Sequence, residues 1–553
     1  MNVFCGIGLH RWEGCRCSRC PKIREEGHDW TKDCGKCSCC GAERPDAHTW
    51  EGCRCSRCAK IREEGHDWTK DCAKCSCCGA ERPDAHTWEG CRCSRCAKIR
   101  EEGHDWTKDC RKCSRCGAER PDAHTWEGCK CSACGITRHQ WSKEREGCLR
   151  CGKVIDVSTP ADLQAIANDC QGHYQLLKDI DASDTRNWNE GRGFTPIAKG
   201  RRFRGVLDGH GHTISNLYIN RGGEDNVALF GWVCEGELRN LTLRDLSVSG
   251  QNNVGGLVGE NAGGTIKACQ VSGKVEGATG VGGLVGCNSF TVADNGTDEV
   301  SGTMTDCQAL CHVSGKQNVG GLVGSNKYDK QVIRHCHARG NVCGDEDVGG
   351  LVGYNAGGIT NSYASGSASG QRVGGLVGLN DVKGMVLNCH AFSDVSGDTA
   401  GGLVGANVMA AIIRCHSMGS VSGKSAIGGL VGHNTMQAFI KESHAAGKVS
   451  GETCVGGLVG INSKSIIEHC YAVGKVSGDR GAGGLVGHSA DAGKADQCYW
   501  DIQATTRDES SGGVGATSAE MKTRKTYLRW DFEQAWQIEE GKSYPTLRCT
   551  SYS

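Results

Sequence analysis

Residues Gly401–Ile427 read GGLVGANVMAAIIRCHSMGSVSGKSAI, and this stretch decides the fold. Its glycines recur every few residues and leave only short apolar pieces between them. Such pieces are too short for helices and fit about three short strands. The pentapeptide GGLVG returns nine times, beginning at Gly255, Gly282, Gly320, Gly349, Gly374, Gly401, Gly428, Gly456 and Gly483. Most intervals lie close to the length of the quoted stretch, and a longer one contains an insertion around Phe290–Thr303. A fixed period of this size is the mark of a solenoid. The fold class expected is therefore mainly β: a right-handed parallel β-helix of ten or eleven coils. With coils stacked about 4.8 Å apart the rod would be about 50 Å long. "ALFG" at Ala228–Gly231 reads as a degenerate earlier rung.

Stacked rungs align equivalent residues into ladders. One is Asn261, Asn288, Asn326, Asn355, Asn380, Asn407, Asn434 and Asn462, closed by Ser489. Amides stacked at a turn can bond backbone and one another. A second is Cys269, Cys307, Cys336, Cys389, Cys415, Cys470 and Cys498, with Ser362 and Ser443 in two rungs. Cysteine there is a small buried hydrophobe, since serine replaces it. The next residue must point outward, because side chains alternate along a strand. It is His337, Tyr363, His390, His416, His444, Tyr471 and Tyr499. This column is either ring packing or a contact stripe for a protein or a glycan.

Outward from the solenoid towards the amino terminus, the composition changes. Of the 40 cysteines, 26 fall before residue 152. The string EGCRCSRC.KIREEGHDWTKDC.KCS.CGAERPDAHTW starts at Glu13, Glu51 and Glu89, with a truncated copy from Glu127. So short a unit buries little apolar surface and needs a staple. Three thiolates and one imidazole make a closed tetrahedral shell for structural Zn²⁺. Counting from the first cysteine gives the sets Cys5, His10, Cys15, Cys17; Cys20, His28, Cys34, Cys37; Cys40, His48, Cys53, Cys55; and Cys58, His66, Cys72, Cys75. It continues with Cys78, His86, Cys91, Cys93; Cys96, His104, Cys110, Cys113; Cys116, His124, Cys129, Cys131; and Cys134, His139, Cys148, Cys151. About eight structural zinc ions are expected. A second frame, beginning Cys15, Cys17, Cys20, His28, stays open; the first is preferred because it strands neither end. Cys39 and Cys77 are left over, and Arg115 takes their place in the third copy.

A tryptophan follows two residues after each of these histidines, from Trp12 to Trp141, as a shield for the metal or a contact row. Residues 1–151 carry 29 Lys and Arg against 24 Asp and Glu. Each loaded shell subtracts about one charge, so the array ends slightly negative, which argues against a nucleic-acid partner.

The repeat domain resembles the GLUG-motif proteins, bacterial right-handed β-helices named for this glycine-rich repeat. The resemblance covers about residues 154–548. It includes the lead-in TPADLQAIA, with a capping helix expected over Thr159–Asn168, the first coil FRGVLDGHGHTISNLYI from Phe203, and the closing segment YWDIQATT to WDFEQAWQIEEGKSYPTL. Many such proteins are surface-associated or adhesin-like, so the resemblance implies a binding role. The domains expected are zinc repeats over 1–151, a lead-in over 154–202, the β-helix over 203–498 and a carboxy-terminal cap over 499–553.

No apolar run is long enough to span a bilayer. Met1–Leu9 lacks a secretory pattern, which places the chain in the cytoplasm, although the resemblance implies surface association. No convergent set of acids recurs; Asp345, Glu346 and Asp347 read as solvated turn charge, and Asp208 beside His210 and His212 as part of an ordinary coil. The functional expectation is a non-enzymatic scaffold that binds a protein or glycan of unknown identity. The alternatives are a carbohydrate-active β-helix enzyme and a nucleic-acid-binding zinc array.

Overall fold

The computed structural model describes residues 154–292 and 298–548 continuously and, before residue 154, only short pieces of the repeats. The chain divides into two units, Met1–Gln140 and Trp141–Ser553.

In the first unit the described backbone forms four antiparallel hairpins of one kind. Trp12–Glu13 pairs with Arg16–Cys17, Trp50–Glu51 with Arg54–Cys55, Trp88–Glu89 with Arg92–Cys93, and Trp126–Glu127 with Lys130–Cys131. The turn between the second pair holds Gly52 at φ +63°, the sign a two-residue hairpin turn requires. Among the described residues no group of three His, Cys, Asp or Glu side chains converges on a metal-sized site. Of the ligands named from the sequence, only His66, Cys75, Cys93 and Cys113 have described side chains. The rest of that assignment lies outside the described residues.

The second unit is a parallel β-solenoid of about eleven turns. Its strands stack into three sheets. The first runs from Ile155–Val157 to Lys494–Asp496, the second from Ile180–Asp181 to Val514–Ala516, and the third from Phe230–Cys234 to Val486–Ala490. Residues 154–202 already supply strands: His173 lies in parallel register with Val206, and Ile180 with Ile214. In each rung the middle residue of the first-sheet strand points inward. Leu238, Ile266, Met304, Ile333 and Ile359 stack in register and are fully buried. Every leucine of GGLVG, from Leu257 to Leu485, meets them inside.

The paired glycines are required by the closeness of the stack. A Cβ on Gly349 would strike the Val352 carbonyl, and one on Gly350 the Gly375 carbonyl of the next rung. At the corner before each buried cysteine or serine the chain takes a left-handed residue, among them Asp306, His335, Asn361, Asn388, Arg414 and Glu442. Four of these six are Asn, Asp or His, which tolerate that conformation, whereas Arg414 and Glu442 in two successive rungs do not favour it, so there the corner is imposed by the stack.

Both ends of the apolar interior are covered. The amino-terminal helix, Pro160–Ala165, continues as a 3₁₀ turn through Asn168. Thr159 caps it by accepting from the Asp162 N–H at 3.1 Å, while Asp162 accepts from the Thr159 N–H at 3.0 Å. Leu163 and Ile166 are fully buried beneath. At the other end Trp500 packs into the interior and Ser510 Oγ accepts from the Leu485 and Val486 N–H groups, while Met521, Tyr527, Trp530, Phe532 and Trp536 form a separate cluster with the outward-pointing Tyr471 and Tyr499.

The insertion is an excursion from the third sheet: Phe290–Val292 pairs antiparallel with Glu299–Ser301 before the chain rejoins the stack. Asn288 Nδ2 donates to the Gly302 carbonyl at 3.2 Å, as Asn261 donates to Gly264 at 3.1 Å without any insertion.

Candidate functional site

The repeated feature with chemical character is the ring column on the second sheet. Parallel register puts His337 beside Tyr363, Tyr363 beside His390, and His390 beside His416, then His444 and Tyr471. Because the backbone repeat nearly equals aromatic stacking distance, the rings lie face to face. Centroids are 4.8, 5.2, 5.0, 5.1 and 4.8 Å apart, and planes differ by 10° or less. Tyr499, next in register, instead meets Tyr527 edge-on at 5.3 Å.

The carboxy-terminal segment covers one end of this column. Trp536 tilts over His444 and Tyr471 at 6.0 and 5.9 Å, and the Tyr471 hydroxyl donates to the Pro545 carbonyl at 2.6 Å. His444, Tyr471 and Tyr499 are therefore buried, at 5%, 2% and 6% exposure. They are absent from the accessible stripe expected from sequence. His337, Tyr363, His390 and His416 remain half-buried. Beside them stand Phe392 and Met418, 44% and 50% exposed, with Phe392 set edge-on to His390 at 5.2 Å. Sequence reading missed this pair, although each lies two residues after a column histidine and so shares its side of the strand.

Electrostatically the column is made for neutral imidazoles. Burial pushes His416 down to about 4, with His390 adding to the effect, and His444 down to about 3, with His416 adding. Burial also lowers His390 and His337. His444 Nδ1 has no hydrogen-bond partner, so a proton there would sit uncompensated.

The face-to-face stack limits what the exposed end can hold. Ring faces are occupied by their neighbours, and the edges point out. A pyranose packs its C–H face on an open ring face, which Tyr363, His390 and His416, each with rings on both sides, do not offer. An edge is the place for another aromatic face, as Trp536 and Phe392 show.

The two inner ladders take the positions expected of them. Each asparagine from Asn261 to Asn462 is buried and joined to the next by an amide bond of 2.7–2.9 Å. The cysteine column is buried, and its thiols donate to the carbonyl two residues before, as Cys389 does to Leu387 at 3.2 Å. Of the acids expected in solvent, Asp345 is exposed, but Asp347 departs from that reading. Asp347 is 5% exposed and ion-paired with the Arg372 guanidinium, which also reaches Glu346 at 3.3 Å. Burial pushes the Asp347 carboxyl up, against the pull of Arg372. Asp208, also buried, accepts from the His210 N–H at 2.8 Å, from Arg239 at 2.7 Å and from Asn240 at 3.1 Å. Burial works against its charge, but these bonds outweigh it and hold the carboxyl below its usual range.

Three segments, residues 250–276, 344–369 and 451–477, match the family described as the GLUG motif. Among curated proteins, halomucin of Haloquadratum walsbyi is 47% identical over 141 residues, which is 24% of this chain and 2% of that protein. The immunoglobulin A1 protease of Streptococcus sanguinis is 32% identical over 127 residues, 22% of this chain and 6% of that protein. The chain thus spans a small fraction of the curated relatives it matches. A putative immunoglobulin A1 protease from Bacteroides ovatus, solved as a crystal structure, aligns over 73% of this chain and 94% of its own, at 17% identity and a TM-score of 0.27.

Proposed function

We propose that this chain is a non-catalytic scaffold, in which the solenoid binds an aromatic-bearing protein segment along the open end of the ring column. The carrying observation is the closed end of the same column, where tilted indoles of the chain's own carboxy-terminal segment lie on the ring edges. His337, Tyr363, His390 and His416 continue that surface without a break, and Phe392 and Met418 widen it. The likeness of short stretches to halomucin, and the GLUG motifs themselves, support a binding module over an enzyme. The amino-terminal repeats hold structural zinc, about one ion per 19 residues, in closed shells of three thiolates and one imidazole. Such shells contribute on the order of 10 kcal/mol or more to folding where a core is missing. A reducing compartment, the cytoplasm, suits both thiolate ligands and the solenoid, where Cys269 and Cys307 occupy neighbouring rungs as thiols.

A synthetic peptide of residues Tyr527–Ile538 added to the full chain tests the binding reading. It should bind with micromolar affinity by calorimetry and lose at least tenfold when both of its tryptophans are alanine. The chain variant His390→Ser, Phe392→Ser, His416→Ser should lose the same while keeping its strand spectrum. Equal binding by the tryptophan-free peptide, or by the variant chain, overturns the reading. Tighter binding of a neutral oligosaccharide would return the site to a glycan.

A further inference from the structure

The third sheet carries a row of its own. Parallel register sets Cys287, Ser325, Tyr354 and Leu379 side by side on successive rungs. Tyr354 therefore has a small hydroxyl residue on one side and an aliphatic one on the other. Among the described residues no ring stacks on it, whereas Tyr363 in the column of the second sheet has a ring on each face. The Tyr354 hydroxyl donates to Asp381 Oδ2 at 3.3 Å, and burial together with the Asp381 charge pushes its pKa up, so it keeps that proton.

Tyr354 lines a cavity of about 500 Å³ together with Asn318, Lys327, Tyr328, Asp329 and Lys383, a size that suits a small molecule. The second ring, Tyr328, is 51% exposed and stands at φ +75°, a conformation that costs a bulky residue energy. Gln331, fully buried, holds it there. With its amide set so that both ends are satisfied, Gln331 donates to the Tyr328 carbonyl at 2.6 Å and accepts from the Phe290 N–H at 3.2 Å. Tyr328 meets Phe290 at 4.6 Å between centroids with planes at 84°, a contact that takes at most one face of either ring. The charges in the wall do not cancel. Lys383 pairs with Asp329 at 3.0 Å, while Lys327 has no carboxylate partner among the described residues and lies beside the buried Cys287 thiol.

We propose that this cavity binds one pyranose ring bearing an anionic substituent, with the C–H face of the sugar on Tyr354 and the anion on Lys327. A sugar needs an aromatic face with no ring already on it, and Tyr354 supplies one. An ammonium on a carboxylate or sulfate makes a charge-assisted bond, about twice as strong as one between neutral groups. The Asn318 amide and the Lys383–Asp329 pair supply donors and acceptors for the remaining hydroxyls. The site lies on the third sheet, away from the ring column of the second, and does not depend on it.

Binding to the full chain is followed by saturation-transfer NMR titration with methyl β-D-glucuronide, methyl β-D-glucoside 6-sulfate and neutral methyl β-D-glucoside. The charged sugars should bind with a Kd of about 1 mM, ordinary for so few atoms, and the neutral one about fivefold more weakly. The tighter of the two charged sugars names the anion. Lys327→Met should bring all three sugars to the same affinity. Tyr354→Ala, or Tyr328→Ala on its exposed loop, should weaken all three about tenfold. Circular dichroism checks that each variant keeps its strands. The proposal is overturned if neither charged sugar binds, if the preference for charge survives Lys327→Met, or if both tyrosine changes leave binding untouched. Inorganic sulfate binding as tightly as the sugars also overturns it, since that would be an anion site with no place for a ring.

Discussion

Asn355 donates its side-chain N–H to Asn380 Oδ1 at 2.7 Å, and the same amide nitrogen keeps a second bond to the Gly357 carbonyl of its own turn at 3.0 Å. Asn261, Asn288, Asn380 and Asn407 likewise tie their own turn and the next rung at once. Asn380→Ala should cost about 2–4 kcal/mol in urea unfolding, because it leaves a donor on Asn355 and an acceptor on Asn407 buried and unpaired. Asn462→Ala, at the ladder's end beside the natural Ser489, should cost about half as much. Equal costs would mean that the amides act singly.

The buried imidazoles make the solenoid sensitive to acid. A histidine whose folded value is lowered binds its proton in the unfolded chain first, so stability is full above about 6.5 and drains as pH falls. The loss continues through about 4 for His416 and about 3 for His444. Each histidine removes about 1.4 kcal/mol per pH unit within its window. His444→Tyr, which keeps a ring in the stack, should move the acid unfolding midpoint, followed by circular dichroism, to lower pH. An unmoved midpoint would place the acid sensitivity elsewhere.

The cysteine column should tolerate serine. The Ser362 hydroxyl already donates to the Thr360 carbonyl at 2.8 Å, as the Cys389 thiol does to Leu387. Cys389→Ser should change unfolding free energy by less than about 1 kcal/mol, whereas Cys389→Met, which overfills the rung, should cost about 1–3 kcal/mol.

Trp536→Ala should open the closed end of the ring column and cost about 3–5 kcal/mol. A titration of the His444 ring signals should then show its value rising towards that of a solvated imidazole. A value that stays low would mean that the neighbouring rings, not the indole, keep water away.

The repeat GGLVG made the solenoid legible, because two glycines per rung are what a close stack demands and alternation puts leucine inside. The asparagine and cysteine ladders followed from register alone. The burial of His444, Tyr471 and Tyr499 did not follow, since periodicity says which way a ring points and nothing of what a later segment lays over it. Asp347 was misread for a related reason. Its partner Arg372 belongs to the next rung, 25 residues on, and no local pattern joins them. The left-handed corners are equally silent in sequence, with alanine, arginine, glutamate and glutamine standing at Ala268, Arg414, Glu442 and Gln497.

The closure of Asn288 onto Gly302 has an evolutionary and practical side. The corner after the asparagine ladder reads its two anchoring points and ignores how much chain runs between them, so the stack measures its progress in floors and not in residues. A guest sequence could be spliced at this address, or the present excursion removed, at the loss only of the contacts the excursion itself makes, such as Phe290 on Tyr328 and Glu299 with Lys330. The rod would then serve as a ruler on which cargo is hung at a chosen height.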